Sequence, residues 1–224
     1  MNRKIYPFNE NVFGMNYQVF YPDNYEDLPL LVYLHGAGER GKKVDNLNRH
    51  AVPMMITNGE EIPAVVLCPQ CPEQVVWNNI PDKVKAIIDS VAVEYGIKRD
   101  RICITGSSMG GFGTWMMGKT YPNFFSAIGP VAGGGMSWRA KKLVNTPVMA
   151  VHGTADTVVP PIYSELMVNA INKNGGNAEL ILLDGAGHND GVNNAYLKTD
   201  LISWLLKQRR ENFDRVVEPC EEMF

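Results

Sequence analysis

The chain has 224 residues, 45% of them hydrophobic and 20% charged, with a formal net charge of −3 and a pI near 5.8. That length and composition suit one globular α/β domain spanning residues 1–224. The mild acidity leaves no basic footprint for nucleic acid or for an anionic membrane surface, and no apolar run reaches the length of a membrane span. Arg3 and Lys4 open the chain with positive charge, but Pro7, Asn9, Glu10 and Asn11 follow where a secretory signal needs an apolar stretch, so a cytoplasmic location is expected. Cys68 and Cys71 form a C-x-x-C pair with no second pair to complete a zinc site, so the four cysteines read as packed thiols.

In chain order, residues 17–21 read as a short strand suited to antiparallel pairing at an edge. Residues 30–34 and 64–68 follow as apolar strands, with His50 between them placed in a helix. Val84, Ile87, Ile88, Val91, Ala92 and Tyr95 then recur at the spacing of an amphipathic helix. Residues 101–105 and 127–131 read as strands around a helical segment that begins near Gly111. A strand at 148–151 precedes a second periodic helix marked by Tyr163, Leu166, Met167, Ala170 and Ile171, stopped by Gly175-Gly176. Residues 180–183 form a further strand, and Leu197, Leu201, Trp204 and Leu205 mark a last helix. Most of these strands are apolar without alternation, as expected when helices cover both faces. The order predicts a doubly wound, mostly parallel sheet with ligands bound at the carboxyl ends of its strands. Residues 211–224, with Glu218, Glu221 and Glu222, read as a polar C-terminal tail.

The stretch Gly106-Ser107-Ser108-Met109-Gly110 lies between a strand and a helix. A chain reversing that sharply forces one residue into a strained conformation and pushes its side chain out at the sheet edge, with glycine needed two positions before and after it. Only Ser108 has glycines at both offsets, which makes it the candidate nucleophile. A Gly-rich turn can also cradle a phosphate, but this one lacks the Lys-Ser/Thr ending of a P-loop and is not G-x-G-x-x-G.

A serine hydroxyl needs a base held by an acid. His188 lies in a glycine-loosened loop after the last strand and is the candidate base. His152 precedes Gly153-Thr154-Ala155-Asp156, which is the better source of the acid, and Asp156 is chosen. Asp184 and Asp190 are rivals, but neither sits on a separate loop behind the imidazole. The order Ser108, Asp156, His188 is one in which each residue follows a different strand. Donors for a developing oxyanion are expected from the N–H of Met109 and, in the loop His35-Gly36-Ala37-Gly38, from the N–H of Ala37.

Five segments carry a family likeness: 33–41 (Tyr-Leu-His-Gly-Ala-Gly-Glu-Arg-Gly), 69–72 (Pro-Gln-Cys-Pro), 106–111, 152–156 and Gly187-His188. In this order they resemble the compact carboxylesterases of the α/β-hydrolase superfamily, close to the feruloyl esterases and the phospholipase/carboxylesterase group. The resemblance implies an α/β-hydrolase fold, a small-molecule ester as substrate, no cofactor or metal, and Ser108, Asp156 and His188 as catalytic residues. Similar enzymes often carry Trp shortly after the catalytic His, whereas Asn189-Asp190-Gly191-Val192 stands here, so no substrate contact is carried over to that loop. Only residues 133–146 occupy the position where lipases insert a lid, which predicts an open site without a substantial lid domain. Gln70, Trp77 and Trp138 are candidate substrate contacts, and a Trp there would favour aryl or cinnamoyl esters over short acyl esters. Two rival readings remain: a serine peptidase of the prolyl-oligopeptidase type and, with the triad intact against it, a non-catalytic binding protein.

Overall fold

A computed structural model describes residues 1–210; the expected polar tail at 211–224, and Cys220 within it, lie outside the described residues. Eight strands form one sheet in the order β1-β2-β4-β3-β5-β6-β7-β8: β1 (Asn2–Tyr6), β2 (Tyr17–Tyr21), β3 (Leu30–Leu34), β4 (Val65–Pro69), β5 (Ile102–Ser107), β6 (Ala127–Val131), β7 (Val148–Gly153) and β8 (Ala178–Leu183). β2 pairs antiparallel with β1 and β4, and every other pairing is parallel. The edge therefore belongs to β1 rather than to residues 17–21. Its sequence Asn-Arg-Lys-Ile-Tyr is exposed over most of its length and carries no apolar signal, the composition that protects an edge from further pairing.

Alternate residues of the central strands enter opposite faces. Leu30, Val32 and Leu34 pack with Val65 and Leu67 beneath α2 (Pro81–Glu94), α3 (Met109–Thr120) and α4 (Ile162–Lys173). Leu31, Tyr33 and Val66 pack on the other face with α1 (Ala51–Thr57), α5 (His188–Leu197) and α6 (Leu201–Lys207). Both faces are thus apolar, which explains the missing alternation. Two helix readings change. Leu197 closes α5 while Leu201, Trp204 and Leu205 belong to α6; Thr199 breaks the run by bonding the Ala195 carbonyl and accepting the Leu201 N–H at 3.2 Å. His50 is extended, with φ −143°, at the entrance to α1 rather than inside a helix. The described cysteines, Cys68, Cys71 and Cys103, are free and buried, and burial pushes their thiols up, those of Cys71 and Cys103 to about 12. No helix among the described residues is long and apolar enough to cross a membrane.

Where β5 meets α3 the backbones touch. A Cβ at Gly110 would fall 1.8 Å from the Leu34 carbonyl oxygen, and one at Gly106 would fall 2.7 Å from it and 2.5 Å from that of Gly110. Between them Ser108 adopts φ 56° and ψ −117°, a conformation that L residues rarely hold.

The loop after β3 rests on a buried polar cluster. The Trp77 indole N–H donates to the His35 carbonyl at 2.9 Å, and the Cys71 N–H donates to His35 Nε2 at 2.9 Å. His35 Nε2 therefore carries no proton, and Nδ1–H faces the Gly36 carbonyl. Gln70 is 1% exposed; its amide donates to the carbonyls of Glu39 and Lys43 at 3.0 and 2.8 Å and accepts from Asn16 Nδ2 at 2.9 Å.

Two outcomes follow from these contacts. Gly110→Ala should lose at least about 3 kcal/mol of stability in urea unfolding, because backbone must move, whereas Gly38→Ala, where a Cβ meets nothing within 4 Å, should stay within about 0.5 kcal/mol. An equal loss in both would contradict the contact. Burial lowers the His35 pKa from 6.5 to about 4. Below 6.5 the unfolded chain takes up a proton that the folded chain refuses, so this stability is complete above 6.5 and disappears as pH falls towards 4. The stability difference between wild type and His35→Gln should therefore shrink by up to about 3 kcal/mol between pH 7.5 and 4.5. A difference constant with pH would show that His35 is not held neutral.

Candidate active site

Ser108 follows β5, Asp156 follows β7, and His188 opens α5 after β8. Three backbone bonds tie these strand ends together: Ser108 N–H to the Val131 carbonyl, Thr154 N–H to that of Leu183, and Ala155 N–H to that of Ala186, each at 3.0 Å. The sequence placed His188 in a loop; it is instead the first residue of α5, with Gly187 as the preceding extended residue. Its Nε2 lies 3.0 Å from Ser108 Oγ, and its Nδ1 lies 2.7 Å from Asp156 Oδ2. Ser107, the neighbouring hydroxyl, is 2% exposed, with its Oγ 3.2 Å from the Tyr33 hydroxyl and 3.4 Å from that of Tyr196.

Asp156 is buried on a turn that folds around it. Its Oδ1 accepts the N–H groups of Val158 and Val159 at 2.9 and 2.8 Å. Burial alone would push its carboxyl up, but the bonds from His188 and these two amides hold it below the usual carboxylate range. His152, dismissed above as a base, is fully buried beside this acid. Its Nε2–H donates to the Val159 carbonyl at 2.8 Å and stands 3.5 Å from Asp156 Oδ2, while its Nδ1 meets Ser164 Oγ at 2.8 Å. Burial lowers the His152 pKa. The i, i+4 spacing of His152 and Asp156 is the signal that would have flagged it. Neither rival acid reaches the imidazole: Asp184 accepts from Thr154 Oγ1 at 3.4 Å, and Asp190 is exposed on α5.

Ser108 and His188 open into a cleft of about 320 Å³. Ala37 forms part of its wall, and a Cβ on neighbouring Gly36 would stand 3.8 Å from that of Ser108. Ala37 and Met109 begin their helical turns, positions where an N–H has no partner within its own helix. Two further groups escaped the sequence reading. Glu39 and His50 line the cleft with their side chains 3.8 Å apart, and burial raises the Glu39 pKa.

The candidate substrate contacts need correction. Gln70 and Trp77 are each 1% exposed and spend their polar groups on the carbonyls of His35, Glu39 and Lys43 in the segment after β3. Trp138, at 78% exposure in the turn Ser137–Leu143, is not part of the cleft wall. That turn is all that occupies the lid position. Among the described residues, no group of three or more His, Cys, Asp or Glu side chains forms a metal site. A hydroxyl, an imidazole and a carboxylate in bonded series can pass the hydroxyl proton to the imidazole as the oxygen attacks an electrophile.

Known proteins share this arrangement of elements. A thermostable esterase superimposes with a TM-score of 0.79 at 28% identity, over 93% of this chain and 63% of its own. The feruloyl esterase module of Clostridium thermocellum, solved with sinapinate, gives 0.69 at 18% identity over 90% of this chain and 86% of its own, a likeness of fold. In sequence, the bifunctional acetylxylan esterase/xylanase XynS20E of Neocallimastix patriciarum is 29% identical over 152 residues, 65% of this chain. The chain spans 22% of the length of that protein. Residues 69–195, more than half the chain, match the model of the phospholipase/carboxylesterase family. An eight-stranded, mostly parallel sheet of this order, together with that match, makes the chain a member of the phospholipase/carboxylesterase family of α/β-hydrolases.

Proposed function

We propose that this chain is a serine carboxylesterase acting on esters of small acyl groups. The observation that carries the reading is the bonded series Ser108 Oγ, His188 imidazole and Asp156 carboxylate at 3.0 and 2.7 Å. In this reading His188 Nε2 takes the Ser108 proton as Oγ attacks the ester carbonyl. The oxyanion is held by the N–H groups of Ala37 and Met109. His188 returns the proton to the leaving alcohol, and water then cleaves the acyl-enzyme by the same route. Asp156, already bonded to Nδ1, fixes the tautomer and compensates the transient imidazolium charge.

The acyl preference rests on what surrounds Ser108. A stacking platform for an aryl group would need an aromatic face in the cleft, but the tryptophans that suggested one lie elsewhere. The aromatic ring that does line it, Tyr33, is 2% exposed and bonds Ser107 through its hydroxyl. With no exposed Trp, Tyr or Phe face in the cleft, a cinnamoyl ring has nothing to stack on, and a small acyl group is the better match. The acetylxylan esterase activity named for the Neocallimastix relative agrees with that choice. The short turn Ser137–Leu143 leaves the cleft open to dissolved substrates.

Comparing p-nitrophenyl acetate with p-nitrophenyl cinnamate, which share one leaving group, tests both parts. The acetyl ester should exceed the cinnamate ester at least about tenfold in kcat/KM, and Ser108→Ala should lower turnover by about 10³-fold or more. Ester cleavage undiminished in Ser108→Ala would overturn the mechanism, and equal use of both esters would overturn the acyl preference.

A further inference from the structure

One ionisable group of the Ser108 cleft has no part in the proposed hydrolysis. Glu39 is 7% exposed and belongs to the cleft wall. It closes the short turn Ala37–Glu39, and its carbonyl accepts the Gln70 amide at 3.0 Å, which fixes the backbone from which the side chain extends. The carboxylate comes close to the proposed nucleophile. A Cβ built on Gly36 would stand 3.3 Å from Glu39 Oε2 and 3.8 Å from the Ser108 Cβ. A single point on the cleft wall thus lies against both side chains, so an ester seated on Ser108 is within reach of the carboxylate.

A carboxylate this deeply buried ordinarily has a cation or several donors. The ionisable side chains that approach Glu39 are imidazoles, His35 Nδ1 at 3.7 Å and His50 Nε2 at 3.8 Å, both beyond hydrogen-bonding range. Burial keeps His35 neutral, and its Nδ1–H faces the Gly36 carbonyl instead. Among the described residues, no lysine or arginine forms an ion pair with Glu39. The N–H groups of Gly36 and of Glu39 itself face the carboxylate from its own turn. An ionised carboxylate has about four acceptor sites, so capacity is left over. The side chain keeps 9% of its surface open, enough for a donor in the cleft to meet it.

An acceptor short of donors beside a nucleophile suits a substrate that brings its own donor. An acetyl-sized acyl group carries none, so the donor belongs to the alcohol part of the ester. Arg49 acts on the same carboxylate from further off, and its charge would oppose an ammonium there. A neutral hydroxyl meets no such opposition. We propose that Glu39 is a specificity-determining residue, whose carboxylate accepts a hydroxyl two carbons from the ester oxygen and turns away anionic alcohol parts, an assignment that rests on the esterase reading. The alcohols taken by the cleft are then hydroxylated rather than plain alkyl ones.

Three acetates with one acyl group test this: 2-hydroxyethyl acetate, its near-isostere propyl acetate, and the anion acetoxyacetate. Each kcat/KM is divided by the same ester's hydroxide-catalysed rate, which removes differences in intrinsic reactivity. Wild type should prefer the hydroxyethyl over the propyl ester about tenfold, the worth of a hydrogen bond to a charged group. In Glu39→Gln that preference should fall to about threefold or less, while acetoxyacetate should gain about fivefold relative to propyl acetate as the like charge is removed. Each ratio is taken within one protein sample, so a partial loss of folded protein cancels. Equal use of the hydroxyethyl and propyl esters by wild type would overturn the proposal, and so would ratios unchanged in Glu39→Gln. Absence of turnover on every acetate would sink the esterase reading and this assignment with it, whereas turnover with unchanged ratios overturns this assignment alone.

Discussion

The contact on which the molecule turns is between backbone and backbone, where the first turn of α3 lies against the carbonyl of Leu34 at the end of β3. There is no room for a Cβ at Gly106 or Gly110. That closeness forces the reversal at Ser108 into a left-handed conformation, which in turn lifts its hydroxyl above the sheet. It also brings the loop after β3 alongside, so that Gly36 passes Ser108 at van der Waals range. One steric fact thus sets the positions of the proposed nucleophile and of both proposed oxyanion donors.

The acid and base arrive from the far side of the sheet, and their placement is electrostatic as much as steric. A buried carboxylate is unfavourable without donors. Asp156 meets this with two amides of its own turn on one oxygen and His188 on the other. Two imidazoles flank it, yet they are not equivalent. His152 directs Nε2–H to the Val159 carbonyl at 2.8 Å and stands 3.5 Å from Oδ2, whereas His188 approaches that oxygen at 2.7 Å. The partly exposed imidazole therefore has the strong bond to the acid, and the fully buried one braces the turn that carries it.

Much of this arrangement is legible in the sequence because it depends on local chemistry. Glycines two residues before and after Ser108 report a backbone clash, and apolar runs without alternation report a sheet covered on both faces. Asp156 and His188 are readable because each follows a recognisable strand. What the sequence hides depends on tertiary contact. β1 has no apolar pattern because it is an exposed edge. Trp77 and Gln70 follow a strand end as substrate contacts would, but their direction is decided by the carbonyls of His35, Glu39 and Lys43, which no spacing reveals. The break between α5 and α6 depends on one threonine hydroxyl, and the cleft position of Glu39 and His50 depends on the path of a turn.

The central claim is that Ser108 is the activated hydroxyl of the molecule. Reaction with a fluorophosphonate, followed by peptide mass spectrometry, tests it most directly. The account predicts a single stoichiometric adduct on Ser108, formed more slowly when His188 is replaced by Gln. An adduct on another residue, or an intact protein that does not react at all, would contradict it.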